Sequence, residues 1–215
     1  MGRWEPNARG RLEQAALELF QERGYARTTV EEIAARAGLT ERTFFRYFAD
    51  KREVLFSGSE DLNKLIVGAI SAAPEAAAPL DAVAAALDAA AAALQERRDP
   101  DYARARHAVL MAHAELQERE LIKLSTLASA IAETLRARGV TEPAASLAAE
   151  AGMAVFKVAF ERWISDPERR DLVHHIRAAL AELKAVTAGQ VAAPPPAPTP
   201  KPPLQKPPKS RRPSK

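Results

Sequence analysis

Between Thr29 and Phe48 the chain reads TVEEIAARAGLTERTFFRYF, a stretch with little freedom in how it folds. Thr29 followed by Glu32 is a capping box: the hydroxyl can accept the amide of Glu32 while the carboxylate reaches back to Thr29, so a helix is expected to start there. Ile33, Ala34 and Ala37 give that helix one apolar side. Gly38 can supply the left-handed backbone that stops it, and Leu39 then drops into the core between elements. Thr40 caps a second helix at once. Two short helices joined by a tight turn through glycine form a helix-turn-helix, whose second helix is sized for the DNA major groove.

In the second helix Phe44, Tyr47 and Phe48 recur at three- and four-residue spacing and are expected to anchor it, which leaves Glu41, Arg42, Thr43 and Arg46 toward the outside. An exposed arginine can contact guanine O6 and N7 in bidentate fashion, while Thr43, Tyr47 and Lys51 suit phosphate oxygens. On this pattern alone, a small helical hairpin with a solvated charged face stands beside DNA binding as an alternative.

The longer stretch RTTVEEIAARAGLTERTFFRYFADKREVLF resembles the DNA-binding domain of the TetR family of transcriptional regulators. The resemblance runs from about Gly10 to Phe56. It includes the preceding helix, the turn at Gly38, the Thr43 and Phe44 pair, the Tyr47 and Phe48 pair, and Lys51 followed by Leu55. It implies base or phosphate contacts for Thr29, Arg42, Thr43, Arg46, Tyr47 and Lys51. Phe45 departs from the pattern, since many members carry a tyrosine there whose hydroxyl meets phosphate.

Composition limits the remaining readings. With 215 residues and 47% apolar content, the chain is long enough for one large or two small domains with a proper core. No cysteine is present, which excludes disulfides and thiolate metal sites. The start, MGRWEPNARG, has no apolar run, and the alanine-rich region is interrupted by Asp81 and Asp88, so a cytoplasmic protein is expected. The formal net charge is +3, but residues 189–215 hold six basic and no acidic side chains, leaving the other residues at 3 − 6 = −3. The basic character is therefore local. It sits in a tail with ten prolines that cannot build a core and is expected to be extended and disordered, either coating DNA or only solubilising the chain.

Before the helix-turn-helix, Arg3, Arg9 and Arg11 lie in or beside a short arm, and a first helix is expected from about Ala8 to Arg23, ended by Gly24. After it, one helix is expected from Lys51 to about Ala73, linking the DNA reader to the rest. Further helices are expected from Leu80 to Arg98, after the Asp99-Pro100-Asp101 turn, from about Glu115 to Arg138, from Pro143 to Trp163, and from Glu168 to Val186. The whole reads as all-α, about nine helices. The expected division is residues 1–56 as the DNA-binding domain, 57–188 as a helical effector-binding and dimerisation domain, and 189–215 as the tail.

The segment RARHAVLMAHAELQERELIKLSTLASAIAETLRARG resembles the effector domain of a TetR subgroup that binds acyl-CoA-like ligands. That resemblance implies Arg104, Arg106, Arg119 and Lys123 at the phosphates of coenzyme A, and an acyl tunnel among Leu110, Leu124, Leu127, Phe156 and Phe160. Glu115, Glu118 and Glu120 leave open a helix surface laced with ion pairs. The helix from Pro143 to Trp163 is apolar around most of its circumference, and the last helix places Leu172, Val173, Ile176, Leu180, Leu183 and Val186 on one stripe. In TetR relatives they pair with their copies, which implies a homodimer through Ala149, Gly152, Met153, Phe156, Leu172, Ile176, Leu180 and Leu183 and a palindromic operator. The alternative is that both faces are consumed within one subunit.

No cofactor or metal is expected. His107 and His113 lie six residues apart, roughly 240° around a helix, and His174 and His175 are adjacent, so neither pair chelates from one face. No phosphate-binding loop, nucleophile elbow or carboxylate pair points to an enzyme. Two functions remain: a ligand-responsive dimeric repressor binding operator DNA and a small effector, or an effector-independent architectural DNA-binding protein whose C-terminal helices only dimerise.

Overall fold

The computed structural model describes residues 7–97 and 100–190. Arg3, Arg98, Asp99 and the tail from residue 191 onward lie outside the described residues. Within them the protein is all helical, with nine α-helices, one short 3-10 helix and no strand.

Helix α1 (Ala8–Arg23) buries Leu12, Ala15, Ala16, Leu19 and Phe20 and ends at Gly24, whose φ of +85° is the left-handed region glycine tolerates. Helix α2 (Val30–Arg36) starts in the expected capping box: the Glu32 amide donates to the Thr29 hydroxyl at 3.2 Å and the Thr29 amide to the Glu32 carboxylate at 3.0 Å. Gly38 has φ +66°, and the Leu39 amide closes the helix end by donating to Ala34 at 2.8 Å. Helix α3 (Glu41–Tyr47) is capped by Thr40, whose hydroxyl accepts the Thr43 amide at 3.2 Å. Phe44 and Phe48 are buried and anchor α3; Tyr47 is not an anchor but is 37% exposed, because α3 ends there and Phe48 alone turns back into the core. The guanidinium of Arg36 binds both carboxylate oxygens of Glu22 at 2.8 and 2.9 Å, and Arg23 reaches Glu32 at 2.8 Å, so α1 and α2 are held in register.

The single helix expected from Lys51 to Ala73 is instead two elements. A 3-10 helix (Glu53–Phe56) is followed by extended Ser57, left-handed Gly58 (φ +83°) and helix α4 (Ser59–Ser71). Two interactions account for the break. The Asp50 carboxylate accepts the amides of Arg52 (2.8 Å) and Glu53 (3.2 Å), which starts the turn early. The Leu55 carbonyl, which a continuous helix would give to residue 59, is taken at 2.5 Å by Arg106 Nε. The break lets Val54, Leu55 and Phe56 all enter the first core while α4 points Ile66 and Ile70 into a second.

The remaining helices are α5 (Pro79–Arg97), α6 (Pro100–Met111), α7 (Ala114–Ala137), α8 (Ala144–Ser165) and α9 (Leu172–Thr187). With α4, they build the second core around Leu87, Ile131, Leu135, Trp163, Leu172 and Ile176. Val109, Leu110 and Leu116, at the corner between α6 and α7, enter the first core instead, so the two cores share this corner. Helix α9 begins at Leu172 rather than near Glu168. The buried Asp166 carboxylate gathers the amides of Glu168 (3.0 Å) and Arg170 (3.2 Å), the Arg170 guanidinium (2.8 and 3.1 Å) and His175 Nε2 (3.0 Å), which holds the intervening residues in a coil. Asp171 then caps the helix by accepting the His174 amide at 2.6 Å. No helix among the described residues is long and apolar enough to cross a membrane.

Candidate nucleic-acid interface and internal cavity

Capping at Thr29 and Thr40 and the buried Phe44 and Phe48 fix which way α3 faces. Arg42, Phe45, Arg46 and Tyr47 are exposed on it, Thr43 is half-buried, and Thr29 is exposed at the start of α2. The Arg46 guanidinium lies 5.0 Å from the centre of the Tyr47 ring and donates to its hydroxyl at 3.3 Å, so the two side chains are held as a unit. The Thr43 and Thr40 hydroxyls are 3.0 Å apart. The exposed Arg42 and Arg46 of α3 are suited to a polyanion.

Lys51 has a different setting from its neighbours. Its ammonium donates to the carbonyls of Tyr25 (2.9 Å), Thr28 (3.1 Å) and Ala26 (3.4 Å) and sits 4.3 Å from the centre of the Tyr25 ring. All three of its donors are used to shape the loop before α2.

The second site is a cavity of about 770 Å³ between the two cores. Leu124, Leu127, Phe156 and Phe160 line it, with Arg106 and Lys123 among its polar groups. Three expected lining residues are elsewhere. Leu110 is fully buried in the first core, because the α6 end turns toward the reader. Arg104 donates to the Ile164 carbonyl at 2.6 Å and to Asp101 at 2.7 Å, which fastens α6 to the end of α8. Arg119 donates through Nε and a terminal nitrogen to Glu53 at 3.1 and 2.8 Å.

Sequence reasoning missed the contribution of the reader itself to this cavity. Glu13 of α1, Leu55, Phe56 and Ser57 all line it, and Ser57 donates to Glu13 while accepting from Arg9 Nε at 2.8 Å. Nothing local in those residues announces it, since the cavity exists only once α1 packs beside α6 and the 3-10 helix. The apolar stripe of Leu62 and Ile66 on α4 was the one available signal.

The eight side chains expected between subunits are turned into the protomer. Ala149, Gly152, Met153, Leu172 and Ile176 are buried, Leu180 and Leu183 pack against the second core, and Phe156 lines the cavity. A Cβ on Gly152 would lie 2.4 Å from Val83 Cγ1, so that face of α8 is closed by α5.

Residues 13–57 match the family described as "Bacterial regulatory proteins, tetR family", and residues 77–188, more than half the chain, match "MftR C-terminal domain". The chain belongs to the TetR family. It is a DNA-binding transcriptional regulator with a helix-turn-helix reader, in a family of regulators rather than enzymes. It is 40% identical over 75 residues to the HTH-type transcriptional regulator TcmR of Streptomyces glaucescens, a match covering 35% of this chain and only 33% of that protein. SmeT of Stenotrophomonas maltophilia, solved in complex with triclosan, is 23% identical with a TM-score of 0.57, covering 91% of this chain and 99% of SmeT. NalD of Pseudomonas aeruginosa, the secondary repressor of the MexAB-OprM efflux pump, is 21% identical with a TM-score of 0.55, covering 82% of this chain and 93% of NalD. At these identities SmeT and NalD show the shared fold alone.

Proposed function

We propose that this TetR-family regulator is a homodimeric repressor that leaves a palindromic operator when an amphiphilic effector fills the cavity. The observation that carries this reading is the composition of the cavity wall: Leu124, Leu127, Phe156 and Phe160 of the helical domain face Leu55 and Phe56 of the DNA reader across one space. A ligand there touches both parts, so it has differential contacts with any two relative positions of them, which is what a ligand-driven shift in DNA affinity requires. A solid interior would have favoured an effector-independent DNA-binding protein.

In this reading Arg42 and Arg46 meet base edges, and Thr29, Thr43 and Tyr47 meet phosphates. Lys51 acts by holding the loop that presents α2. The apolar wall suits an aliphatic chain, and Arg106 and Lys123 suit an acidic head, the combination found in long-chain acyl-CoA. The dimer forms through the outward faces of α8 and α9 rather than the inward ones. Leu147, Ala151, Ala154 and Val158 share one side of α8, while Ala178, Ala181 and Ala185 share one side of α9. Arg162 on α8 pairs with Glu182 on α9 at 3.3 Å, which makes the two stripes one surface.

Fluorescence anisotropy on DNA from upstream of the protein's own coding region tests the whole reading. Tight binding that a long-chain acyl-CoA releases, with free fatty acid weaker, supports it. Tight binding that no acyl compound or other amphiphile alters removes the effector from the proposal.

A further inference from the structure

The two cavity cations, Arg106 and Lys123, have a second role in the structure, because together with Arg119, outside the cavity, they also hold the DNA reader. Arg119 binds one oxygen of Glu53 at 2.8 and 3.1 Å, and Lys123 Nζ lies 3.5 Å from the other. Arg106 donates to the Leu55 carbonyl at 2.5 Å and to Glu120 at 3.1 Å. Arg106 and Lys123 also lie 5.5 and 5.4 Å from the centre of the Phe56 ring, a π-face that attracts cations. Glu53, Leu55 and Phe56 make up most of the 3-10 helix, the connection between reader and helical domain. Arg106 and Lys123 therefore contact acceptors on this connection, and Arg106 also Glu120, while both side chains line the cavity.

An anion entering the cavity competes for those same donors. The exchange is feasible because Glu53 is about a quarter exposed, so its carboxylate can take water when Lys123 leaves and is not stranded as a buried charge. Arg119 does not line the cavity and keeps its bonds to Glu53, so the connection is loosened rather than cut. Ser57 and left-handed Gly58, immediately beyond, form a natural pivot between the 3-10 helix and α4. Resting on the effector cavity proposed above, we propose that Glu53 is the positioning residue that couples the cavity to the reader, and that the effector's anionic group displaces it from Lys123 while also drawing on Arg106.

This exchange has a consequence that a purely structural role for Glu53 lacks. Removing its carboxylate removes the ligand's competitor, so ligand should bind tighter while acting more weakly on DNA, as reciprocal coupling demands. The test uses the full-length dimer with decanoyl-CoA, decanoate and uncharged decanol below their micellar concentrations, with ligand affinity from calorimetry and DNA affinity from anisotropy. In Glu53→Gln, affinity for the two anionic probes should rise roughly fivefold or more, decanol affinity should stay unchanged, and release of DNA should shrink. Glu53→Asp keeps the charge and should restore much of the coupling. If wild type responds to the anions but Glu53→Gln binds them no tighter, the exchange is wrong and the effector cavity stands. If decanol releases DNA as well as the anions do, the requirement for an anionic group is wrong. If no probe binds the wild-type protein, both the exchange and an amphiphile-filled cavity are overturned.

Discussion

Lys51 and Arg42 both belong to the DNA reader, yet their environments assign them different work. Arg42 projects from α3, and if it reads a guanine edge, Arg42→Ala should weaken operator binding by roughly 1–3 kcal/mol and relax specificity at one base pair, with the melting temperature unchanged. Lys51→Met should do the reverse. It strips three carbonyls of their shared donor and should cost on the order of 1–3 kcal/mol of stability in denaturant unfolding, with DNA affinity falling only as α2 loses its position. A second single-residue case lies at Asp166. Its carboxyl is held well below the usual carboxylate range, first by the Arg170 guanidinium and then by the amides of Glu168 and Arg170 and by His175. A depressed folded pKa contributes stability that is complete above the unfolded value of about 4 and is lost as pH falls below it. Asp166→Asn should therefore lower the melting temperature at neutral pH and flatten its decline on acidification below about pH 4, as a series of thermal melts would show.

At the scale of elements, what could be read from the sequence was whatever neighbouring residues decide. Capping at Thr29 and Thr40 and termination at Gly24 and Gly38 depend on groups a few residues apart, and they stand as expected. The break at Ser57 was not readable, because it depends on Arg106 taking the Leu55 carbonyl from 51 residues away. The late start of α9 depends likewise on His175 and Arg170 converging on Asp166. Periodicity also showed that α8 is apolar around most of its circumference, but it could not say which side α5 would cover. Gly152 records the answer: with Val83 Cγ1 at 2.4 Å from its missing Cβ, Gly152→Ala should push α5 and α8 apart and cost roughly 1–3 kcal/mol in urea unfolding. The double variant Gly152→Ala with Val83→Ala should recover most of that loss, since the clash is with a single methyl group. Failure of the second substitution to compensate would mean that glycine is required there for another reason.

For the whole molecule, the inward burial of Ala149, Gly152, Leu172 and Ile176 moves the question of assembly to the surface that α8 and α9 leave open. Leu147 at 64% and Val158 at 42% exposure stand on it among alanines, and small side chains allow two such helix pairs to approach closely. Arg177 with Asp88 and Lys184 with Asp81, each at 2.9 Å, tie one flank of α9 to α5, so the open face of α9 is the one adjoining α8. In the proposed dimer one reader would meet one half-site, and joining two readers would make the second encounter intramolecular, so a monomer would lose far more operator affinity than the contacts of one subunit account for. A charge at the centre of the open face separates these contributions. Ala154→Arg or Ala181→Glu touches neither core, so helicity and melting temperature should stay near wild type, while light scattering should report a monomer and operator affinity should fall at least about tenfold, leaving weak half-site binding. A variant that stays dimeric would place the subunit contact elsewhere, with the exposed Leu121 and Ile122 of α7 as the next surface to charge. A monomer that keeps full operator affinity would instead remove the need for two-fold symmetry, and with it the palindrome.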